Sequence, residues 1–247
     1  MSHDKIMSAG GFQIVTGKRA MKKGRTAGPL RTDGTIEEIN MAISKATAFI
    51  IHTGLHTWLL AKLEQGFHEI GLRSLRLALD KILLLGNGHF DAPWEAGAHQ
   101  LALINLVAEH YNVVVEIQDP CFTNAEVEWI NSNQRFVLVE NAQFNTVSMP
   151  LFVVSIHSPH FIINDFLKSN WNQKQVLFLG NDYSSTALDV KDPDHETLLC
   201  FGKSCEYFPM PVYEPNSSFF FDTSLFYWRS TEINQLPPLN QRDSTKK

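Results

Sequence analysis

The chain has 247 residues, 44% of them hydrophobic and 19% charged, with a formal net charge of -5 at pH 7. That composition describes a globular protein with a real core and excludes a disordered or fibrous chain. No apolar run approaches the ~20 residues that cross a bilayer, and the opening Met1-Ser-His-Asp-Lys5 has no apolar signal region.

No membrane partner is therefore expected, and the expected location is the cytoplasm, the nucleus or both. The three cysteines, Cys121, Cys200 and Cys205, are widely spaced and odd in number. They exclude a disulfide scaffold and a four-cysteine zinc site and suit a reducing compartment. No metal site is expected.

Charge divides the chain. Residues 1–31 hold seven basic side chains and one acid, so this stretch carries +6 and the remainder -11. Residues 1–32 read as a basic, disordered tail. Its Lys18–Arg31 segment offers a contact to an acidic protein partner, to RNA or to an import receptor. The acidic body repels bulk nucleic acid, so no strong nucleic-acid signal is present. Residues 33–230 read as one α/β domain, and 231–247 as a polar tail.

Ile36, Ile39, Ile43, Ala46 and Ile50 recur at helical spacing behind the cap candidates Asp33 and Thr35. Leu55, Leu59, Leu63, Phe67 and Ile70 repeat the pattern, and Gly71 suits its stop. A helical pair over 35–71 is expected. His52 and His56 are expected on one helix face, as partly buried residues; the Glu of a zinc-protease motif is missing.

From residue 80 the periodicity changes. Ile82–Leu85, Val113–Ile117, Phe136–Val139, Leu151–Ile156 and Val176–Leu179 are short, nearly continuous apolar runs. Such runs suit parallel strands buried on both faces. Helices are expected at Glu95–His110, after the capping box Thr123–Glu126, and at His160–Lys168. Strand-helix alternation predicts a Rossmann-like, doubly wound, mostly parallel sheet of five to seven strands in the order 3-2-1-4-5. Residues 141–150 form a bare crossover. Glu206–Tyr213 and Ser218–Trp228 read as late extended segments, and the acidic stretch Asp189–Glu196 as a solvated loop.

In such a sheet, ligands bind beyond the carboxyl ends of the strands, where the strand order reverses. Gly86-Asn87-Gly88 follows the first core strand. It supplies the first two glycines of Gly-x-Gly-x-x-Gly, but Asp91 stands at the third. The alternative is a plain tight turn. Asp119-Pro120 ends the second strand, where Rossmann-type folds hold ribose hydroxyls; Asp-Pro also starts turns for local reasons. Gly180-Asn181 follows the fifth strand. His157 ends the fourth, and a histidine there serves as acid, base or ligand, or is merely structural. Serine-hydrolase and P-loop motifs are absent.

The series Gly86-x-Gly88-x-Phe90, Gln100-Leu101-Ala102, Asp119-Pro120-x-Phe122, His157-x-Pro159, Asn170-Trp171, Gly180-Asn181 and Phe221-Asp222-Thr223-Ser224 resembles the Sensitivity to Red Light Reduced family. The resemblance spans roughly residues 80–228. It departs at Ser158, where the family usually has Cys, at Glu140–Phe144, where it has an Asn-Glu-x-Gly-like stretch, and at Asp182, where Ser is commoner. The resemblance implies a regulatory protein. Plant relatives are linked to red-light signalling and clock input, animal relatives to haem biosynthesis and clock-gene expression, and a fungal relative to microtubule stability.

Two readings follow. One is a regulator that acts through protein partners and binds a small ligand. The other is an enzyme resembling S-adenosylmethionine-dependent methyltransferases. In the second, Gly86 and Gly88 admit S-adenosylmethionine or another adenosine-containing ligand, Asp119 binds its ribose, and Asn181 or His157 faces the substrate. Activity is left open, with the regulator favoured.

Overall fold

Thr35 starts the folded body by a reciprocal cap. Its hydroxyl accepts the Glu38 N–H at 3.2 Å, and the Glu38 carboxylate accepts the Thr35 N–H at 2.8 Å. Helix α1 (Ile36–Thr53) then runs to Gly54, whose φ of 72° ends it and begins α2 (Leu55–Glu69). Ile39, Ala42, Ala46 and Ile50 on α1, and Leu59, Leu63 and Phe67 on α2, are buried. The helical pair is present as expected, with one correction. His52 and His56 do not share a helix face, because Gly54 breaks the helix between them.

This computed structural model describes residues 33–71, 79–146, 151–171, 176–184 and 195–228, with two short strands nearer the N-terminus. Those strands, β1 (Met7–Ala9) and β2 (Phe12–Ile14), pair antiparallel within a separate unit, Met1–Thr32. The basic Lys18–Arg31 segment and the polar tail 231–247 lie outside the described residues.

The second unit, Asp33–Lys247, is built on a seven-stranded sheet. Its strands are β3 (Lys81–Leu85), β4 (Val114–Gln118), β5 (Phe136–Leu138), β6 (Leu151–Ser155), β7 (Val176–Asn181), β8 (Glu206–Pro209) and β9 (Thr223–Tyr227). Their order is β5-β4-β3-β6-β7-β9-β8. The first five are parallel and follow the expected 3-2-1-4-5 arrangement. Strand β9 runs antiparallel to both β7 and β8.

Helices cover both faces. On one, α1 and α2 pack with α3 (Ala96–Tyr111) and α4 (Asn124–Ser132) over Ile82, Leu84, Ile117 and Phe152. On the other, α5 (His160–Asn170) and α6 (Glu196–Ser204) pack over Leu83, Val153, Phe178 and Phe226. Alternate residues of one strand thus serve different cores, which is why β6 and β9 are buried throughout, the polar Ser155, Thr223 and Ser224 included.

The C-terminal third differs from the sequence expectation. Strand β8 stops at Pro209, a residue with no N–H for a ladder. The first part of 218–228 is a 3-10 turn, Ser217–Phe220, set by Asn216, whose Oδ1 accepts the Ser218 N–H at 3.0 Å. Residues 189–194 of the expected acidic loop lie outside the described residues, and Glu196 begins helix α6, which buries Leu198 and Phe201. The bare crossover holds a short 3-10 turn, Ala142–Phe144, with Ala142 packed in the second core.

One buried polar contact ties α3 to this region. The His99 Nε2–H donates to the Pro93 carbonyl at 3.1 Å, so Nδ1 carries the lone pair and accepts the Tyr213 hydroxyl proton at 2.8 Å. Burial lowers the His99 pKa below its ordinary 6.5 and pushes the Tyr213 hydroxyl up to about 12. The folded state therefore prefers neutral His99. Its contribution to stability is complete above the unfolded value of about 6.5 and is lost as pH falls below it. Thermal melts from pH 7.5 to 5.5 are expected to show a falling midpoint, with a shallower slope in His99→Gln.

Candidate functional site

The strand order reverses between β3 and β6, and both strands end at the same edge. Beyond β3 the chain makes a left-handed turn at Gly86 (φ 70°) and again at Gly88 (φ 72°). The Gly86 N–H donates to the Gln118 carbonyl at 2.8 Å, and the Gly88 N–H donates to Asp119 Oδ2 at 2.7 Å. A Cβ at position 86 would fall 2.5 Å from Ser158 Oγ, so two constraints select glycine there. Gly86, Gly88 and Asp119 are thus one assembly.

Asp119 Oδ1 also accepts the Cys121 N–H at 2.8 Å, and each carboxylate oxygen keeps a further lone pair for a ligand. Burial, then the Asp119 charge, pushes the Cys121 thiol up, which keeps it protonated and poorly nucleophilic.

A fully buried carboxylate, Glu126, sets the shape of the turn. Oε1 accepts the Phe90 N–H at 2.6 Å; Oε2 accepts the Thr123 N–H at 2.8 Å and lies 3.0 Å from His89 Nδ1. The capping box of α4 is therefore also the clamp on the glycine turn. Asn87, 3% exposed, donates from Nδ2 to the carbonyls of Gly88 and Gly97 at 3.0 and 3.2 Å. Its buried Oδ1 has no partner among the described residues.

Ser158 joins this assembly to the next strand. Its Oγ donates to the Leu85 carbonyl at 2.9 Å and accepts the Ser155 hydroxyl proton at 2.7 Å. Beside it His157 stands in the left-handed region, at φ 55°, unusual for a side chain with a Cβ. Two bonds hold it there. Its N–H donates to Asn181 Oδ1 at 2.7 Å, and its Nε2 contacts the Phe221 carbonyl at 2.7 Å. A carbonyl only accepts, so Nε2 carries the proton and Nδ1 offers a lone pair.

His157, His160, Asn181, Phe221 and Asp222 line an open cleft of ≈ 220 Å³. Burial lowers the His160 pKa, and the nearby His195 lowers it further, which favours its neutral form. Gly180 does not line this cleft. It is buried in β7 opposite Ser155 and Ser224, where a Cβ would fall 2.4 Å from the Phe178 ring. The structure thus brings Gly86, Gly88 and Asp119 together at one side of the switch point and His157 with Asn181 at the other, with Ser158 between them. Phe221 and Asp222 stand in the sequence only as part of a shared motif and His160 only as a helix start; their place on the cleft escapes sequence reading, as does the clamp role of Glu126. The lone hint was the position of Glu126 in the Thr123 capping box.

The family model described as the SRR1 domain matches residues 60–227. The chain belongs to the SRR1 family. An SRR1-like protein of Drosophila melanogaster is 24% identical over 160 residues, which is 62% of this chain and 57% of that protein. The chain thus spans little more than half of that relative. Among solved structures, a fibrillarin/Nop5p complex aligns at a TM-score of 0.34 and 9% identity, over 61% of this chain and 72% of that one. The O-methyltransferase NcsB1 of neocarzinostatin biosynthesis, solved with S-adenosylmethionine and 2-hydroxy-5-methyl naphthoic acid, aligns at 0.34 and 12% identity, over 72% and 57%.

His157→Gly relieves the left-handed strain and His157→Ala does not. Urea titration is expected to find the glycine variant about 1 kcal/mol more stable than the alanine variant. Equal stabilities would show that His157 is not strained. Gly97→Ala places a Cβ 2.3 Å from the His89 carbonyl oxygen. It is expected to cost about 1–3 kcal/mol in the same measurement.

Proposed function

We propose that this SRR1-family chain is a regulatory protein whose Rossmann-like module binds a small adenosine-containing ligand and acts through protein partners. Its field of action is clock input and gene expression, or control of haem biosynthesis, in the cytoplasm or nucleus. One observation carries the ligand part of this reading. The glycine turn and the acid after the second core strand, joined by the 2.7 Å Gly88–Asp119 bond, sit at the reversal of strand order. That is where doubly wound sheets take their ligands. The basic segment Lys18–Arg31 is the proposed contact to an acidic partner.

A second reading is methyl transfer from S-adenosylmethionine. It is favoured by the His157 Nδ1 lone pair, held in a fixed tautomer beside an open cleft. A nitrogen so placed can accept a proton from a substrate heteroatom.

The test is a thermal-shift panel on the full chain with S-adenosylmethionine, S-adenosylhomocysteine, NAD, NADP, FAD, nucleotides and haem. A ligand at 100 times its dissociation constant stabilises the fold by about 2.7 kcal/mol. At roughly 2–4 °C per kcal/mol, the expected shift is about 5–10 °C. An adenosine-containing compound is expected to give it, and Asp119→Asn to diminish it. A flat panel would overturn the ligand reading. Methyl incorporation into captured partners, lost in His157→Ala, would replace the regulator with the enzyme.

A further inference from the structure

Resting on the proposal of an adenosine-containing ligand, three features of the same crevice narrow its class. The first is the covered start of α3. In dinucleotide-binding sheets the pyrophosphate lies on the N–H groups of the helix that follows the glycine turn. Here Phe90–Glu95 intervenes, and the first turn of α3 folds under its own loop. Gly97 and Ala98 are buried. A Cβ on Gly97 would lie 2.3 Å from the His89 carbonyl oxygen and 2.7 Å from that of Asn87. A phosphate approaching this helix end meets carbonyl oxygens instead of free donors.

The second feature is charge. The loops that build the site carry Asp119, bonded to the glycine turn, and Asp222, on the wall of the cleft. Among the described residues of those loops there is no Lys or Arg. A cleft lined by one sign of charge attracts the other and repels its own. The third feature is Asn87 Oδ1, a buried acceptor inside the glycine turn with no partner among the described residues. It calls for a hydrogen-bond donor.

We infer that the crevice selects an adenosine-containing ligand that lacks phosphates and bears a cationic group, such as a sulfonium or ammonium. S-adenosylmethionine has that chemistry. S-adenosylhomocysteine lacks only the sulfur-bound methyl group and with it the sulfonium charge, and ADP-ribose keeps the adenosine but adds two phosphates.

Isothermal titration of the full chain with these three compounds tests the inference. S-adenosylmethionine is expected to bind at least tenfold more tightly than S-adenosylhomocysteine, and ADP-ribose is expected not to bind at the same concentrations. Asp119→Asn keeps an oxygen for the Gly88 N–H but removes the charge, so it is expected to narrow the ratio between the first two. Far-UV circular dichroism verifies that the variant is folded; should it not fold, Asp222→Asn, on the cleft wall, serves the same purpose. Equal affinity for S-adenosylmethionine and S-adenosylhomocysteine would overturn the charge selection. Binding of ADP-ribose would overturn the exclusion of phosphate while leaving the adenosine reading intact. No heat with any of the three would remove the adenosine reading and this inference together.

Discussion

Glu126 is the constraint on which the site depends. It has no exposed surface, yet it satisfies two backbone donors and faces the His89 ring. A buried carboxylate is tolerable only when its lone pairs are filled, and breaking such an arrangement typically costs about 3–5 kcal/mol. Each donor comes from a different place: Phe90 from the loop after β3, Thr123 from the start of α4. One side chain therefore fixes how the first two βα units sit against each other at the ligand edge. The Gly88–Asp119 bond lies inside that frame and inherits its geometry.

The other half of the edge is held by strain instead of burial. His157 and Asp222 both occupy the left-handed region, and the His157 ring contacts the carbonyl of Phe221, next to Asp222. Conformations of this kind cost about 1–3 kcal/mol and persist only where their surroundings over-determine them. Asn181 and the Phe221 carbonyl do so for His157; the Asp182 N–H, which donates to the Asp222 carbonyl at 2.8 Å, does so for Asp222. Ser158 stands between the two halves. Its hydroxyl makes a 2.9 Å bond to the end of β3, which a thiol, a weak donor, would make less well.

The central strands β3, β6 and β7 were legible because they are buried on both faces, so each appears as an apolar run; β5, at the sheet edge, exposes Val137 and Leu138 and was legible from its β-rich composition alone. The glycine turn and Asp119 were legible because backbone geometry leaves few residue choices there. Helix α6 was not, since Asp189–Glu196 reads as solvated loop and Leu198 and Phe201 are too few to give a clear period. The cleft escaped for a different reason. His160, Phe221 and Asp222 come from segments some sixty residues apart, and only the insertion of β9 beside β7 brings them together. Gly180 illustrates the reverse case: the residue was noticed for its place after a strand, but its smallness serves the Phe178 ring.

The placement of β9 also governs the order in which the protein can be completed. Strand β8 has a single neighbour in the sheet, and that neighbour is made later, from residues 223–227. A chain emerging from the ribosome therefore finishes its parallel core first and leaves the β7 edge open. That edge, buried in the finished molecule and built from Val176–Asn181, is a template for foreign strands until Thr223–Tyr227 arrives. The Phe221–Asp222 wall of the cleft arrives at the same moment. The nascent protein thus gains its cleft and loses its sticky edge in one step.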